Sequence, residues 1–203
     1  MLRTNTKGKE QLVAYLIELL TKISQDIMEP ISYLPYGLFF GFVFLLCNFV
    51  LKKVLGQRFN FKQNVLISAF ITYMTVLMIQ AFFSREPGSR IGFSLDLFSV
   101  IGISLGEDAS FVENIIMFIP FGFILTLLIQ IFRNAVYCMG LGFTFSVFLE
   151  ILQLITKRGY CQIDDVLANT AGVLIGWAIP GIFYLLTTKK SNKVYAVKSM
   201  GVQ

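Results

Sequence analysis

Glu150 is the only acidic residue in the apolar stretch from residue 135 to residue 155. If that stretch crosses a bilayer, an ionisable side chain inside it costs about 3 kcal/mol unless it is paired, protonated or hydrated. On an α-helix, the residues that share a face with Glu150 are small or polar. They are Gly142, Ser146, Gln153 and Lys157. We therefore expect this face to point into a helical bundle, where Glu150 has a partner.

Further polar residues stand at the ends of the neighbouring apolar stretches. Asn114 precedes one stretch, Arg158 follows the stretch that contains Glu150, and Asp165 begins the last one. If consecutive stretches run in opposite directions, all of these residues come to one membrane level. The predicted cluster consists of Asn114, Glu150, Gln153, Arg158, Asp164, Asp165 and Asn169. Such a cluster could bind polar headgroup atoms, or could supply a general base and a cation that stabilises an anion.

Each of these residues also has a structural explanation. Asn114 and the two aspartates at 164–165 could cap helices, because Asn and Asp side chains accept hydrogen bonds from unpaired amides there. Lys157 and Arg158 could anchor a helix in the interface or pair with Glu150. Both kinds of role stay open for the cluster, and a functional role is favoured for Glu150.

Pro120, Gly122 and Gly172 are predicted to shape the bundle around the cluster. Pro120 lacks an amide hydrogen and so frees a carbonyl one turn earlier in its helix. Gly172 lies between Ala168 and Gly176 at intervals of four residues. Small residues at this spacing form a ridge that lets a second helix approach closely.

The composition places these stretches in lipid. The chain has 203 residues, of which 56% are hydrophobic and 14% charged, and a water-soluble domain cannot cover that much apolar surface. A bilayer core is crossed by about 20 helical residues, whereas transmembrane strands have about 10 residues and alternate in polarity. We predict an all-α fold, a polytopic membrane helix bundle with about five transmembrane helices. The predicted spans are 31–51, 65–83, 115–132, 135–155 and 166–186.

The two ends of the chain differ from this membrane domain, which comprises residues 31–188. Residues 1–30 are predicted to form an N-terminal tail and an amphipathic helix in the membrane interface, because apolar residues recur there at helical spacing among charged ones. A signal peptide is the alternative, but Glu18 interrupts the apolar patch and no small-residue cleavage site follows. Residues 189–203 are predicted to form a basic, disordered C-terminal tail.

The distribution of basic residues predicts how the chain is oriented. The loop at 52–64, the turn at Arg133 and the C-terminal tail carry nine basic residues and no acid. Cytoplasmic segments of membrane proteins are enriched in Lys and Arg. We predict a multi-pass protein of the cell membrane with its C-terminus in the cytoplasm and its N-terminus and polar cluster outside. The net charge of +5 then reflects membrane topology, and no nucleic-acid partner is implied.

The loop at 84–112 lies on the predicted outer side. Residues 90–99 alternate between polar and apolar types. This pattern predicts either a short extended or re-entrant segment buried against protein, or a solvated loop anchored in the headgroups.

Several kinds of chemistry are excluded or unsupported. The chain contains no histidine, so it has neither a Ser-His nor a Cys-His pair and no imidazole metal ligand. Cys47, Cys138 and Cys161 are too widely spaced to indicate a zinc site or a disulfide framework. A glycine-rich phosphate-binding loop is also absent from the sequence. We predict no metal and no cofactor.

The cluster and its surroundings resemble the VanZ family of bacterial membrane proteins. The matching segments are Asn114 to Gly122, the pair Glu150 and Gln153, Arg158, and Asp164 to Gly172. The resemblance covers about residues 85–187 well and the hydrophobic first half more loosely. The sequence departs from the family pattern at Gln162, where an acid is expected more often, and this weakens any mechanism that requires a third carboxylate in that loop.

The resemblance implies a link to antibiotic resistance, because the founding member of the family is associated with low-level resistance to teicoplanin, a lipid-bearing glycopeptide. It implies functional roles for Asn114, Glu150, Gln153, Arg158, Asp165 and Asn169. The implied partners are membrane lipids and either a lipoglycopeptide or a lipid-linked cell-wall precursor.

Three classes of function stay open at this point. The favoured one is a membrane protein that binds or shields an envelope amphiphile. The second is an intramembrane enzyme with Glu150 or Asp165 as general base and Arg158 stabilising an anion. The third is a proton- or ion-coupled carrier that uses Glu150 as its titrating group. A bound divalent ion would favour the enzyme, and a water path continuing past Glu150 would favour the carrier.

Overall fold

The membrane domain is a bundle of five long helices. The computed structural model describes the backbone of residues 3–88, 90–94, 97, 102 and 104–200, and the side chains there except at 3–7, 90, 91, 93 and 188–200. Within these residues, five helical segments are long and apolar enough to cross a membrane. They are Leu34–Val54, Phe61–Phe83, Leu105–Leu128, Ala135–Thr156 and Ile163–Thr187. The predicted all-α membrane bundle is confirmed.

Two further helices precede the bundle. Helix α1 comprises Arg3–Asp26 and helix α2 comprises Met28–Ser32. The Tyr15 hydroxyl of α1 donates a hydrogen bond to the Asp108 carboxylate, so α1 lies against a membrane helix. The predicted N-terminal helix is therefore present.

Side-chain caps fix where most of the membrane helices begin. Helix α3 is Leu34–Val54, and α4, Phe61–Met78, begins after Asn60, whose side chain accepts a hydrogen bond from the Gln63 amide. Ser104 caps α5 in the same way, and Asn134 caps α6. Such caps pair amides that the first helical turn leaves without partners. Helix α5 comprises Leu105–Leu128, α6 comprises Ala135–Thr156 and α7 comprises Ile163–Met200.

Two helices extend beyond the boundaries predicted for them. The third span begins at Leu105, ten residues before the predicted start at 115, because the polar segment before Asn114 continues the helix behind its Ser104 cap. The tail that was predicted to be disordered is helical as far as Met200, since α7 continues without a break beyond the apolar span.

Helices α5 and α7 make the closest contact in the bundle. A Cβ atom at Gly122 would meet the backbone of Val173, and one at Gly172 would meet the backbone of Ile115. Gly176 faces the backbone of Ile119 in the same manner. The predicted small-residue ridge on α7 is thus the surface on which α5 packs.

The interior between α5 and α6 is aromatic. Phe118 and Phe121 are buried, and their rings contact the Phe145 ring of α6 at centroid distances of 6.3 and 5.5 Å. Leu149 and Val173 complete this core and are also buried. The buried residues that precede Glu150 on α6, such as Cys138 and Leu149, are thus packed against aromatic and aliphatic side chains.

A two-stranded parallel sheet covers one end of the bundle. Strand β1, Arg90–Ser94, pairs with strand β2, Arg158–Gln162, in the register Gly92 to Tyr160. The extended segment predicted for residues 90–99 is confirmed over Arg90–Ser94, and most of the rest lies outside the described residues. A single π-helical turn, Ile79–Phe83, ends α4 just before the sheet. Strand β2 joins α6 to α7, so the sheet lies at the level of Glu150 and Asp165.

Candidate functional site

A cavity of about 420 Å³ opens among α2, α4, α5, β2 and the start of α7. Its wall changes from polar to apolar along the bundle. On α5 the lining residues are Ser110, Glu113 and Asn114, followed by Ile116, Met117 and Pro120. A helix rises 1.5 Å per residue, so this series extends about 15 Å into the bundle. The cavity therefore has a polar end beside the sheet and an apolar wall that leads inward.

Asn114 and Asp165 join α5 to α7 at the polar end. The Asn114 Nδ2 atom donates a hydrogen bond to the Asp165 Oδ1 atom at 2.8 Å, and both residues line the cavity. Asn114 lies in the middle of α5, so its alternative role as a helix cap is wrong. Asp165 is in the first turn of α7, as predicted.

Glu150 lies behind this pair. Its side chain is 4% exposed, and its Oε2 atom accepts a hydrogen bond from the Gln162 backbone amide at 3.1 Å. The charged groups that act on the Glu150 carboxylate are Asp165 and Arg85. Arg85 acts on the Asp165 carboxylate as well. The Arg85 guanidinium thus acts on the carboxylates of both Glu150 and Asp165. Of these two carboxylates, that of Asp165 lines the cavity.

Arg158 does not pair with Glu150, which corrects that alternative. Its Nη1 atom donates a hydrogen bond to the Phe82 carbonyl at 3.0 Å, and its guanidinium lies 4.7 Å from the Phe82 ring centroid. The Gln153 Nε2 atom donates to the Ala81 carbonyl at 2.7 Å. A π-turn spaces its hydrogen bonds differently from an α-helix, and here Gln153 and Arg158 occupy two carbonyls of that turn. These two predicted residues therefore position the end of α4.

The remaining members of the predicted cluster, Asn169 and Asp164, are buried outside the cavity wall. The Asn169 Nδ2 atom donates a hydrogen bond to the Ser146 hydroxyl oxygen at 2.8 Å, which joins α7 to the face of α6 that carries Glu150. Asp164 is 1% exposed and lies outside the cavity wall. The predicted face of α6 is buried at Gly142, Ser146, Glu150 and Gln153. Lys157, by contrast, ends the helix in a left-handed conformation with φ of 56° and is exposed.

The predicted shaping residues have separate roles. Pro120 lines the apolar part of the cavity, whereas Gly122 and Gly172 lie at the α5–α7 contact. These two glycines let the backbones of α5 and α7 approach closely, and Asn114 and Asp165 lie on this same pair of helices.

Sequence reasoning missed several residues of the cavity wall. Arg85 follows the second span at the level of the acidic residues, so the topology argument that assembled the cluster could have included it. Asp26, Gln80 and Tyr160 also line the cavity. Asp26 was harder to find, because its position depends on how the N-terminal helices dock against α5.

Cys161 of β2 lies close enough to the carboxylates of Glu150 and Asp165 for their charge to act on its thiol. Burial raises the pKa of its thiol above the usual range, and the negative charges of Glu150 and Asp165 raise it further. Among the described residues, no three of the potential metal-binding side chains converge as a metal site would require.

The matching segments quoted above form the parts of one structure: the α5–α7 pair, the Glu150 face and the supports of the π-turn. A model of the VanZ/LLP1 family matches residues 70–185, which is more than half of the chain. The chain belongs to the VanZ family. The VanZ match includes every residue of the predicted cluster. It begins at residue 70, so helices α1, α2 and α3 lie outside it. Separate comparisons with curated proteins and with solved structures found no match.

The VanZ site can thus hold a molecule that is polar at one end and apolar at the other. Its polar end offers carboxylates, amides and one guanidinium, and its apolar end offers aliphatic side chains. Toward the other membrane face, Glu150 is followed by a core that contains the buried Phe118 and Phe121 and the partly buried Phe145.

Proposed function

We propose that this VanZ-family protein binds an envelope amphiphile at the outer membrane face and contributes in that way to resistance against glycopeptides and lipoglycopeptides of the teicoplanin type. The observation that carries the proposal is the cavity, whose polar end and apolar wall complement the two parts of an amphiphile. Its volume of about 420 Å³ is within the usual range for small-molecule sites, about 300–1,000 Å³. The occupant would be a membrane lipid, a lipid-linked cell-wall precursor or the drug itself.

Survival on teicoplanin tests this function. A susceptible bacterial host would express the natural protein, Val76→Trp or Val65→Trp at matched membrane levels. Val76 lines the cavity, so an indole there would fill the apolar end. Val65 lies on the same helix, is 39% exposed and is not part of the cavity wall. Protection by the natural protein and by Val65→Trp, with loss in Val76→Trp, would support the proposal, and equal protection by all three would refute it.

The proposal also places the sheet and the cavity mouth outside the cell. Cys161 on β2 and a cysteine introduced as Gln57→Cys lie at opposite ends of the bundle. In intact cells, a membrane-impermeant maleimide should label Cys161 in a protein with Cys47 replaced by serine. It should leave the Gln57→Cys protein unlabelled when both Cys47 and Cys161 are replaced by serine there. The reverse pattern would place the cavity mouth in the cytoplasm.

An enzyme that modifies a lipid-linked substrate is the second candidate, because Asp165 and Arg85 meet in the cavity wall. In that function Asp165 would be the general base, and Arg85 would replace Arg158 as the cation that stabilises an anion. Lipid profiles of cells that express the natural protein or Asp165→Asn would separate the two functions. A product present only with the natural protein would favour the enzyme, and identical profiles together with drug protection would favour binding alone.

A further inference from the structure

The mouth of the cavity contains more carboxylates than cations. Glu113 of α5 faces three charged residues from the N-terminal helices, namely Lys22, Asp26 and Glu29. The Lys22 ammonium lies 2.7 Å from the Asp26 carboxylate. The carboxylates of Asp26, Glu29 and Glu113 therefore have a single lysine, Lys22, beside them to balance their charge. Carboxylates this close repel each other when they are ionised, so another positive group would be stabilised among them.

Two buried oxygen atoms beside this group accept no hydrogen bond within the described part of the chain. They are Gln80 Oε1 and Glu113 Oε1, and both residues line the cavity. The Gln80 amide is fixed on its other side, because its Nε2 atom donates to the Glu29 Oε2 atom at 3.3 Å. A buried acceptor without a donor costs about 1–3 kcal/mol. A ligand with N–H donors would remove that cost.

The apolar wall indicates where such a ligand comes from. Ile31, Leu34 and Ile116 line the cavity and are also 50%, 42% and 40% exposed, so the cavity is open on this apolar side. The outside of a membrane bundle faces acyl chains, so the cavity borders the lipid directly. An occupant that is already in the bilayer can enter sideways between α3 and α5.

We infer that the cavity binds a membrane phospholipid whose headgroup ends in a protonated primary amine, with the ammonium group between Gln80 Oε1 and the carboxylates of Glu113 and Asp26. This inference rests on the proposed function, in which the same cavity holds an amphiphile. A primary ammonium supplies both a positive charge and three N–H donors. A choline headgroup supplies the charge without N–H donors, and a glycerol headgroup supplies hydroxyl donors without the charge.

Headgroup competition tests the inference. Chain-labelled fluorescent lysophosphatidylethanolamine would be bound to the full-length protein in detergent, and its anisotropy followed. Unlabelled lysophosphatidylethanolamine, lysophosphatidylcholine and lysophosphatidylglycerol with one common chain would then compete. We expect the ethanolamine lipid to compete at a concentration lower by about tenfold, which corresponds to about 1.4 kcal/mol. Equal competition by all three lipids would overturn the inference and leave the proposed function standing. Failure of the probe to bind at all would count against both.

Two substitutions locate the ammonium group. Glu113→Gln replaces the carboxyl group with a neutral amide. Gln80→Met removes the Oε1 acceptor, and with it the Nε2 donor to Glu29, while it retains much of the side-chain volume. Each should reduce the preference for the ethanolamine lipid while binding of the glycerol lipid persists. Glu107→Gln is the matched control, since Glu107 lies on the same helix and outside the cavity wall. An unchanged preference in both Glu113→Gln and Gln80→Met would overturn the assignment of the headgroup to this position.

Discussion

The Asn114 side-chain amide donates a hydrogen bond of 2.8 Å to the Asp165 carboxylate, and this bond connects α5 to α7 at the polar end of the cavity. Both residues belong to the segments that the family model matches. On the same two helices, Gly172 lies against the backbone of Ile115, the residue that follows Asn114. Helices α5 and α7 therefore provide both the close backbone packing at Gly172 and the hydrogen bond between Asn114 and Asp165.

Asn114→Leu should destabilise the protein, because it leaves the Asp165 Oδ1 atom without its donor in a partly buried position. The expected loss is about 1–3 kcal/mol in the free energy of unfolding, measured by thermal unfolding in detergent. The double variant Asn114→Leu with Asp165→Leu should recover part of this loss, because both polar partners are then removed. Strictly additive effects would show that the two side chains do not interact.

Gly172→Ala should separate α5 from α7. A Cβ atom there would lie 3.0 Å from the Phe118 Cβ atom and would meet the backbone of Ile115, and overpacking of this kind costs about 1–3 kcal/mol. Gly181→Ala on the same helix is the control, because nothing lies within 4 Å of its Cβ position. Thermal unfolding should show a lower midpoint for Gly172→Ala alone. Similar midpoints for the two variants would contradict the close approach of the helices.

Glu150→Gln should insert and fold normally but reduce protection against teicoplanin. A glutamine oxygen can still accept the hydrogen bond from the Gln162 amide, whereas the charge that faces Arg85 is lost. Drug survival would be measured on cells that express the variant, and thermal unfolding on protein from the membranes of the same cells. If Glu150 were only half of a structural pair, the unfolding midpoint would fall, and Arg85→Gln would partly restore it. Arg158→Gln should not compensate, because Arg158 contacts Phe82 instead.

The alkylation rate of Cys161 should report the charge of Glu150. Burial and the charges of Glu150 and Asp165 raise the pKa of this thiol, so less reactive thiolate is present at a given pH than for a free cysteine. Glu150→Gln removes one negative charge and should lower the pKa of Cys161, which shifts the pH–rate profile of maleimide labelling to lower pH. Cys161→Ser in the Cys47→Ser background gives the blank. An unchanged profile would mean that Glu150 carries no charge in the folded protein.

The sequence predicted the elements of this fold better than their assembly. Helical periodicity was sufficient to identify the buried face of α6 that carries Ser146, Glu150 and Gln153, because burial follows directly from a 3.6-residue repeat. The ridge around Gly172 was predicted for the same reason. The start of α5 was missed, because Glu107 and Asp108 ended the apolar run although the helix continues through them.

The cavity itself could not be predicted from local patterns. Its wall includes Asp26 and Ile31 from segments that precede the first membrane helix, and their docking depends on contacts such as that of Tyr15 with Asp108. One alternative paired Glu150 with the nearest basic residues in sequence, Lys157 and Arg158. In the structure the cation that acts on Glu150 is Arg85, which is distant in the chain.

The most direct test of the central claim is native mass spectrometry of the protein extracted from its membrane. The natural protein and Val65→Trp should each retain a bound amphiphile of defined mass, and Val76→Trp should lose it, because only the last substitution fills the cavity. Retention of the same bound mass by Val76→Trp, or its absence from all three proteins, would contradict the claim that this cavity holds an amphiphile.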